Sequence, residues 1–218
     1  MDAGMKRNHV SERRRMIEEQ IMARGIQDRA VLDAIQHVPR HLFVPPARLV
    51  ETYYDRPIPI GYGQTMSQPY IVASMLELLS LRPGEKVLEV GTGSGYNAAV
   101  LSEIVGWVYT IERHEELCRA AEARLRENGY NQVRVRCGDG SLGWEEESPF
   151  DAIVVTAACP SVPPLLFRQL ALGGRMVLPV GRFEEQDLVV VRKTQAGTMT
   201  KEKIYAVRFV PLMGEDGW

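Results

Sequence analysis

The stretch VLEVGTGSGYNAAV, running from Val87 to Val100, decides how the rest of the chain is read. A Val-rich run passes through Gly91, Gly93 and Gly95 directly into an apolar helical pattern. Glycines at such a junction allow a tight turn and let a ligand approach the backbone closely. Alone, the turn is a weak signal. Its neighbours give it meaning.

Downstream, short β-rich runs alternate with helical patterns. KVLEV, WVYTIE, VRVRC, DAIVVTA and RMVLPV read as strands. Helices are expected around 98–104 and 115–127, and again around 164–170. This alternation predicts an α/β fold with a doubly wound, mostly parallel sheet. Ligands of such sheets sit outside the carboxyl ends of the strands. After RMVLPVG only RFEEQ precedes the next strand, DLVVVRKT, and a turn at Ala196–Gly197 precedes the last, KIYAVRFV. A parallel crossover needs a dozen or more residues. The tail is therefore expected to be an antiparallel meander, giving a seven-stranded sheet of order 3-2-1-4-5-6-7 with strands numbered along the chain.

The first third reads as helices. Ser11 is the expected cap of a helix ending at Gly25, and Asp28 caps a second that Pro39 stops. From Pro39 to Pro59 an ordered loop with one short helix is expected. Pro69 opens a further helix, with Ser67 or Gln68 as its cap. The division is a single domain, 1–218: N-terminal helices and a ligand loop over 1–80, and the sheet core over 81–218.

The charges around the glycine turn select among ligands. A dinucleotide fingerprint needs a glycine where Tyr96 stands, and no Gly-Lys-Ser/Thr phosphate loop is present. Glu89, two residues before Gly91, would repel a phosphate. Glu112 closes the second strand, where a carboxylate can accept from both ribose hydroxyls. Asp139, in CGDGS, can accept from an adenine amino group, with Gly140 keeping the loop close to the ring. Each acid alone reads as a helix cap or a solvated strand end. Three at successive strand ends, with the glycine turn on the first, read as a site for a cationic adenosyl ligand. S-adenosylmethionine, with its ammonium and sulfonium, is such a ligand.

Composition sets outer bounds. The 218 residues are 45% hydrophobic and 25% charged with a net charge of −2, so no global field favours nucleic acid or an anionic membrane. The basic cluster KRNHVSERRR is followed at once by acids and reads as a solvated helix face. No signal peptide or membrane span is expected. Cys118, Cys137 and Cys159 are odd in number and widely spaced. Neither a disulfide framework nor a zinc signature is expected from them, and a reduced, cytoplasmic setting fits. Cys159 reads as a small buried residue, and His37 and His41 as surface or packing residues.

Taken together, these motifs make the sequence one that resembles the Rossmann-like S-adenosylmethionine-dependent methyltransferases. More narrowly, it resembles the protein-L-isoaspartate (D-aspartate) O-methyltransferase family. The resemblance runs from VPRHLFVP through YYDRPIPIGYGQTMSQPYIVASMLELL, VLEVGTGSGYNAAVL, GDGSLGW and FDAIVVTAACPSVPPLLFRQLALGGRMVLPVG to FVPL. PIPIGYGQTMSQP is its most specific part. Met66 stands where Ile is common, and Glu112 where some members have Asp. The resemblance implies a single methyltransferase domain in which Ser67 is the active-site hydroxyl and Gln64, Thr65, Met66 and Ser67 line the cofactor. Gly61 and Gly63 would let the backbone pass close to it.

The implied reaction moves a methyl group from S-adenosylmethionine to the free α-carboxylate of L-isoaspartyl residues, leaving S-adenosylhomocysteine and initiating repair of damaged proteins. An α-carboxylate ordinarily titrates near about 3.5, so it is already ionised at neutral pH and needs no general base. No metal is called for. The expected partners are isoaspartyl peptides and proteins, met by a monomer without nucleic acid. Two alternatives share the glycine turn: a methyltransferase for another acceptor, and a silent binding module with the same fold.

Overall fold

The computed structural model describes residues 8–218; Lys6 and Arg7 of the basic cluster lie outside them. Asn8, not Ser11, caps α1 (His9–Met16): its side-chain oxygen accepts the Ser11 amide at 3.2 Å. The Ser11 hydroxyl turns back to the Asn8 carbonyl. The chain continues through one π-helical turn and one 3-10 turn to Gly25, whose φ of 96° is the left-handed geometry that glycine permits. Asp28 caps α2 (Arg29–His37) as expected, accepting the Val31 amide at 3.2 Å.

Two 3-10 turns, Arg40–Phe43 and Pro46–Glu51, stand where one short helix is expected. A hairpin of β1 (Ile58–Gly61) and β2 (Gln64–Met66) replaces part of the expected loop. It delivers the chain to α3 (Pro69–Leu79). Neither Ser67 nor Gln68 caps this helix through its side chain. Asp55 does so from across the hairpin, its Oδ1 accepting the Tyr70 amide at 3.0 Å while Arg24 donates to Oδ2 at 2.6 Å.

The sheet strands are β3 (Lys86–Val90), β4 (Trp107–Glu112), β5 (Val133–Cys137), β6 (Phe150–Val155), β7 (Leu170–Arg182), β8 (Glu185–Lys193) and β9 (Met199–Val207). Their order is β5-β4-β3-β6-β7-β8-β9, the expected 3-2-1-4-5-6-7 when the hairpin is left out of the numbering. Strands β3 to β7 pair in parallel, and β8 and β9 add antiparallel, as the short connections require. Between them lie α4 (Tyr96–Ser102), α5 (Glu115–Glu127) and α6 (Pro164–Gln169).

Central strands buried on both faces explain their continuous apolar runs. Val87, Ala152 and Val154 face the core shared with α2, α3 and α4, whereas Leu88, Val90, Ile153 and Val155 face the core shared with α6. Helices on opposite faces are what right-handed crossovers give when the chain leaves β3 in two directions. Arg175 on β7 ties the core together, donating to both Glu85 oxygens at 2.7 and 2.6 Å and to the Ser80 carbonyl at 2.9 Å. The outer strands carry charge. Arg134 and Arg136 of β5 pair with Glu147 and Glu146 at 3.0 and 3.1 Å, and β9 exposes Lys201, Glu202 and Lys203.

One expectation is corrected outright. Cys118 in α5 and Cys137 at the end of β5 form a disulfide, with Cα atoms 5.7 Å apart, which also removes the cysteine argument for a reduced setting. The 19-residue spacing hid the pair. The α5 connection returns the chain so that both residues lie beside the end of β4. Cys159 is free and buried as expected, and burial pushes its thiol up to about 12.

Candidate active site

The carboxyl ends of β3, β4, β5 and β6 meet under the β1–β2 hairpin. At β3 the chain turns through Gly91 and Gly93, with φ of 99° and 54°, before α4 begins. A Cβ on Gly91 would lie 2.3 Å from Thr156 Oγ1, and one on Gly140 would lie 2.5 Å from Val90 Cγ1. The sequence uses glycine at these two points because no side chain fits.

Glu112 is buried, with each carboxylate oxygen held by one backbone amide. Gly93 donates to Oε2 at 2.8 Å and His114 donates to Oε1 at 2.9 Å. A carboxylate oxygen has lone pairs to spare after one such bond. Both oxygens therefore remain able to accept from a vicinal diol, and Glu112 lines the cleft beside Gly91 and Gly140.

Glu89 and Asp139 differ from the sequence reading in placement. Glu89 is fully buried beneath the glycine turn, accepting from Asn97 Nδ2 at 2.8 Å and from Thr110 Oγ1 at 2.5 Å. Burial raises its carboxyl to about 7, against the pull of those two hydrogen bonds and with a further push from Glu112. Asp139 is engaged by the chain itself. Its Oδ1 accepts the Ser141 amide and hydroxyl at 2.9 and 2.7 Å, and its Oδ2 accepts the Glu215 amide at 2.8 Å. Burial alone would raise it, but these bonds and nearby Arg113 hold it below the usual carboxylate range. The bond from Glu215 folds the C-terminal segment over the strand ends, so that Leu212 and Met213 line the cleft.

Gln64 and Thr65 face the same cleft from the hairpin. Met66, Thr65 and Ser67 border a second recess, together with Gly91, Gly93 and Tyr96. These two recesses are narrow, about 70 and 40 Å³. Both are smaller than the volume usual for small-molecule sites, about 300–1,000 Å³, and the hairpin forms part of the wall through Gln64 and Thr65. Tyr62 at its tip stacks on His114 with ring centroids 5.6 Å apart, which pins it down. A third, larger pocket of about 670 Å³ opens on the other side of Ser67, between Tyr70, Ile71, Tyr205 and Phe209. Thr65 and Thr156 border all three spaces. Sequence reading missed Thr156. Its signal was available, since a residue at the end of DAIVV must lie beside the glycine turn once that strand pairs with β3.

The donor set suits S-adenosylmethionine. A tight glycine turn with Glu89 buried beneath it and a preorganised carboxylate for a ribose agree with an adenosyl ligand lacking phosphate. Among the described residues, no cluster of side chains could hold a metal ion and no helix is long and apolar enough to cross a membrane.

Comparison with known proteins agrees. The sequence profile described as protein-L-isoaspartate(D-aspartate) O-methyltransferase matches residues 11–217. A protein-L-isoaspartate O-methyltransferase 2 of Pelobacter propionicus is 53% identical over 219 residues, covering 100% of this chain and 97% of that one. A protein-L-isoaspartate O-methyltransferase of Pelotomaculum thermopropionicum is 51% identical, covering 97% and 92%. Among solved structures, a protein-L-isoaspartate O-methyltransferase superposes with a TM-score of 0.82 at 29% identity, over 95% of this chain and 66% of that one. A Plasmodium falciparum structure described under the same activity, in complex with S-adenosyl-L-homocysteine, gives 0.80 at 25% identity, over 95% and 99%.

Proposed function

The chain belongs to the protein-L-isoaspartate(D-aspartate) O-methyltransferase family, and we infer that it methylates the free α-carboxylate of L-isoaspartyl residues in damaged proteins, starting their repair. Bound in the cleft, S-adenosylmethionine supplies an electrophilic methyl on its sulfonium. Glu112 holds the ribose, the glycine turn carries the adenosyl group against the backbone, and Gln64, Thr65 and Met66 cover it. Glu89 acts from below, fixing Asn97 and Thr110. Asp139 acts through the turn it caps, placing Gly140 at the base.

One observation carries this reading. Ser67 borders both the recess beside the glycine turn and the 670 Å³ pocket, so a peptide carboxylate entering from the pocket meets the methyl end at Ser67. No base is needed, because the acceptor is already ionised. What the chain supplies is alignment and exclusion of water. The Ser67 hydroxyl, which has no hydrogen-bond partner among the described residues, is placed to donate to that carboxylate. We read the protein as one methyltransferase domain working as a cytoplasmic monomer without nucleic acid. The near-neutral net charge supports the last point.

An isoaspartyl peptide and its aspartyl twin, each incubated with methyl-labelled cofactor, test the function. Label is expected on the isoaspartyl peptide alone. Equal labelling of both, or of neither, removes the reading.

A further inference from the structure

Arg40 is fully buried, yet no carboxylate pairs with it among the described residues. Tyr96 and Tyr53 act on its charge more than any carboxylate does, and Asp55, the carboxylate that also acts on it, is engaged by Arg24 and the Tyr70 amide. A buried, unpaired cation is costly to keep. Its bonds indicate what it does. Nε donates to the Thr52 carbonyl at 2.9 Å and Nη2 donates to the Ser67 carbonyl at 2.8 Å. The guanidinium also lies over the Tyr96 ring, 4.7 Å from its centroid. Three segments distant in sequence are joined at one planar group: the turn after Pro46, the loop before α3, and the start of α4.

Two of those segments contribute to the recess beside the glycine turn, since Ser67 and Tyr96 both border it. The peptide plane after Ser67 leads straight into Gln68 and Pro69, so fixing its carbonyl fixes the approach of the Ser67 side chain. A planar fork does this better than an ammonium, which keeps the charge but holds two carbonyls less rigidly.

We propose that Arg40 is a positioning residue for methyl transfer, clamping the main chain of Ser67 against Tyr96 so that the serine hydroxyl meets the acceptor carboxylate. This rests on the proposed function and extends it to a residue that touches neither ligand. Arg40 also leaves an unbalanced positive charge behind the acceptor pocket, which favours an anionic acceptor over a neutral one. The two effects separate by substitution. Lys keeps the charge and loses the fork, whereas Met loses both.

Arg40→Lys and Arg40→Met are compared with wild type by single-turnover methylation of an isoaspartyl peptide, peptide KM, S-adenosylhomocysteine titration and thermal melting. Arg40→Lys should slow transfer about 10-fold and Arg40→Met up to about 100-fold, the scale expected for a reacting group displaced by about 1 Å. Peptide KM should rise only in Arg40→Met, and S-adenosylhomocysteine affinity should stay within about 3-fold in both. On a Ser67→Ala background the Arg40→Lys loss should largely vanish, because the two residues act in series. Normal transfer rates in both variants would overturn the proposal. So would an undiminished Arg40→Lys loss on the Ser67→Ala background, or failure of both variants to fold, which would make Arg40 a core staple. A wild-type protein inactive on the isoaspartyl peptide would instead remove the function itself, a result visible before any variant is made.

Discussion

The Gly93 amide lies 2.8 Å from Glu112 Oε2, so the glycine turn on β3 is fastened to the acid that closes β4. One bond thereby shapes the cleft and aims the carboxylate. Glu112→Ala should weaken S-adenosylmethionine and S-adenosylhomocysteine alike by about 1.5–3 kcal/mol, the range for hydrogen bonds to a charged group. Calorimetric titration with the fold monitored by circular dichroism checks this; unchanged affinity would take Glu112 out of the site.

Ser67→Ala should slow methyl transfer by up to about 10²-fold and leave the melting temperature unchanged. The second half follows from Asp55, which caps α3 in place of Ser67. Asp55→Ala should show the converse in stability, losing about 1 kcal/mol or more. Parallel melts and single-turnover rates separate the two residues. A lowered melt in Ser67→Ala with full activity would return the serine to a structural role.

Glu89 predicts a pH dependence. Its carboxyl titrates near 7 in the fold, mainly because it is buried, whereas an unfolded chain releases the proton near 4.5. Between those values the folded state binds more protons, so stability contributed by protonated Glu89 falls as pH rises from about 4.5 to about 7. Glu89→Gln lacks this slope and can still bridge Asn97 and Thr110. The stability of the variant relative to wild type should improve between pH 5 and pH 8, by up to about 3 kcal/mol. Denaturant curves at both pH values test it; parallel behaviour would mean that Glu89 ionises normally.

Asp139 separates two readings of one carboxylate. If its main work is to hold Ser141 and the Glu215 amide, Asp139→Asn should loosen the C-terminal segment and weaken cofactor binding together. Proteolysis of that segment and cofactor titration should then move in step. Weakened binding with an unaltered segment would favour a direct contact with adenine.

The α/β core was legible because its signals are local. KVLEV, WVYTIE and VRVRC each match a strand, and the short links after RMVLPVG forced the antiparallel end. What escaped depends on contacts made across the fold. β1 and β2 have only 4 and 3 residues, with Pro59, Gly61 and Gly63 among or between them, so they carry no period to read. Asp55 reaches the start of α3 from 15 residues upstream, and Cys118 meets Cys137 only after α5 reverses the chain. Of the candidate site, Glu112 and the glycines were legible at the strand ends. Glu89 was visible, but its depth was not: a residue in a strand covered on both faces points into a core whichever way it faces.

The charged outer strands have a consequence for the company this protein keeps. An enzyme with the proposed function would meet loosened backbone ready to pair with any open sheet margin. Arg134 and Arg136 with their partners border one margin, and Lys201, Glu202 and Lys203 lie along the other. Charges so placed discourage an added strand. On the proposed function, loosened substrate chains would thus find little purchase at either rim, leaving the pocket beside Ser67 as the place to bind.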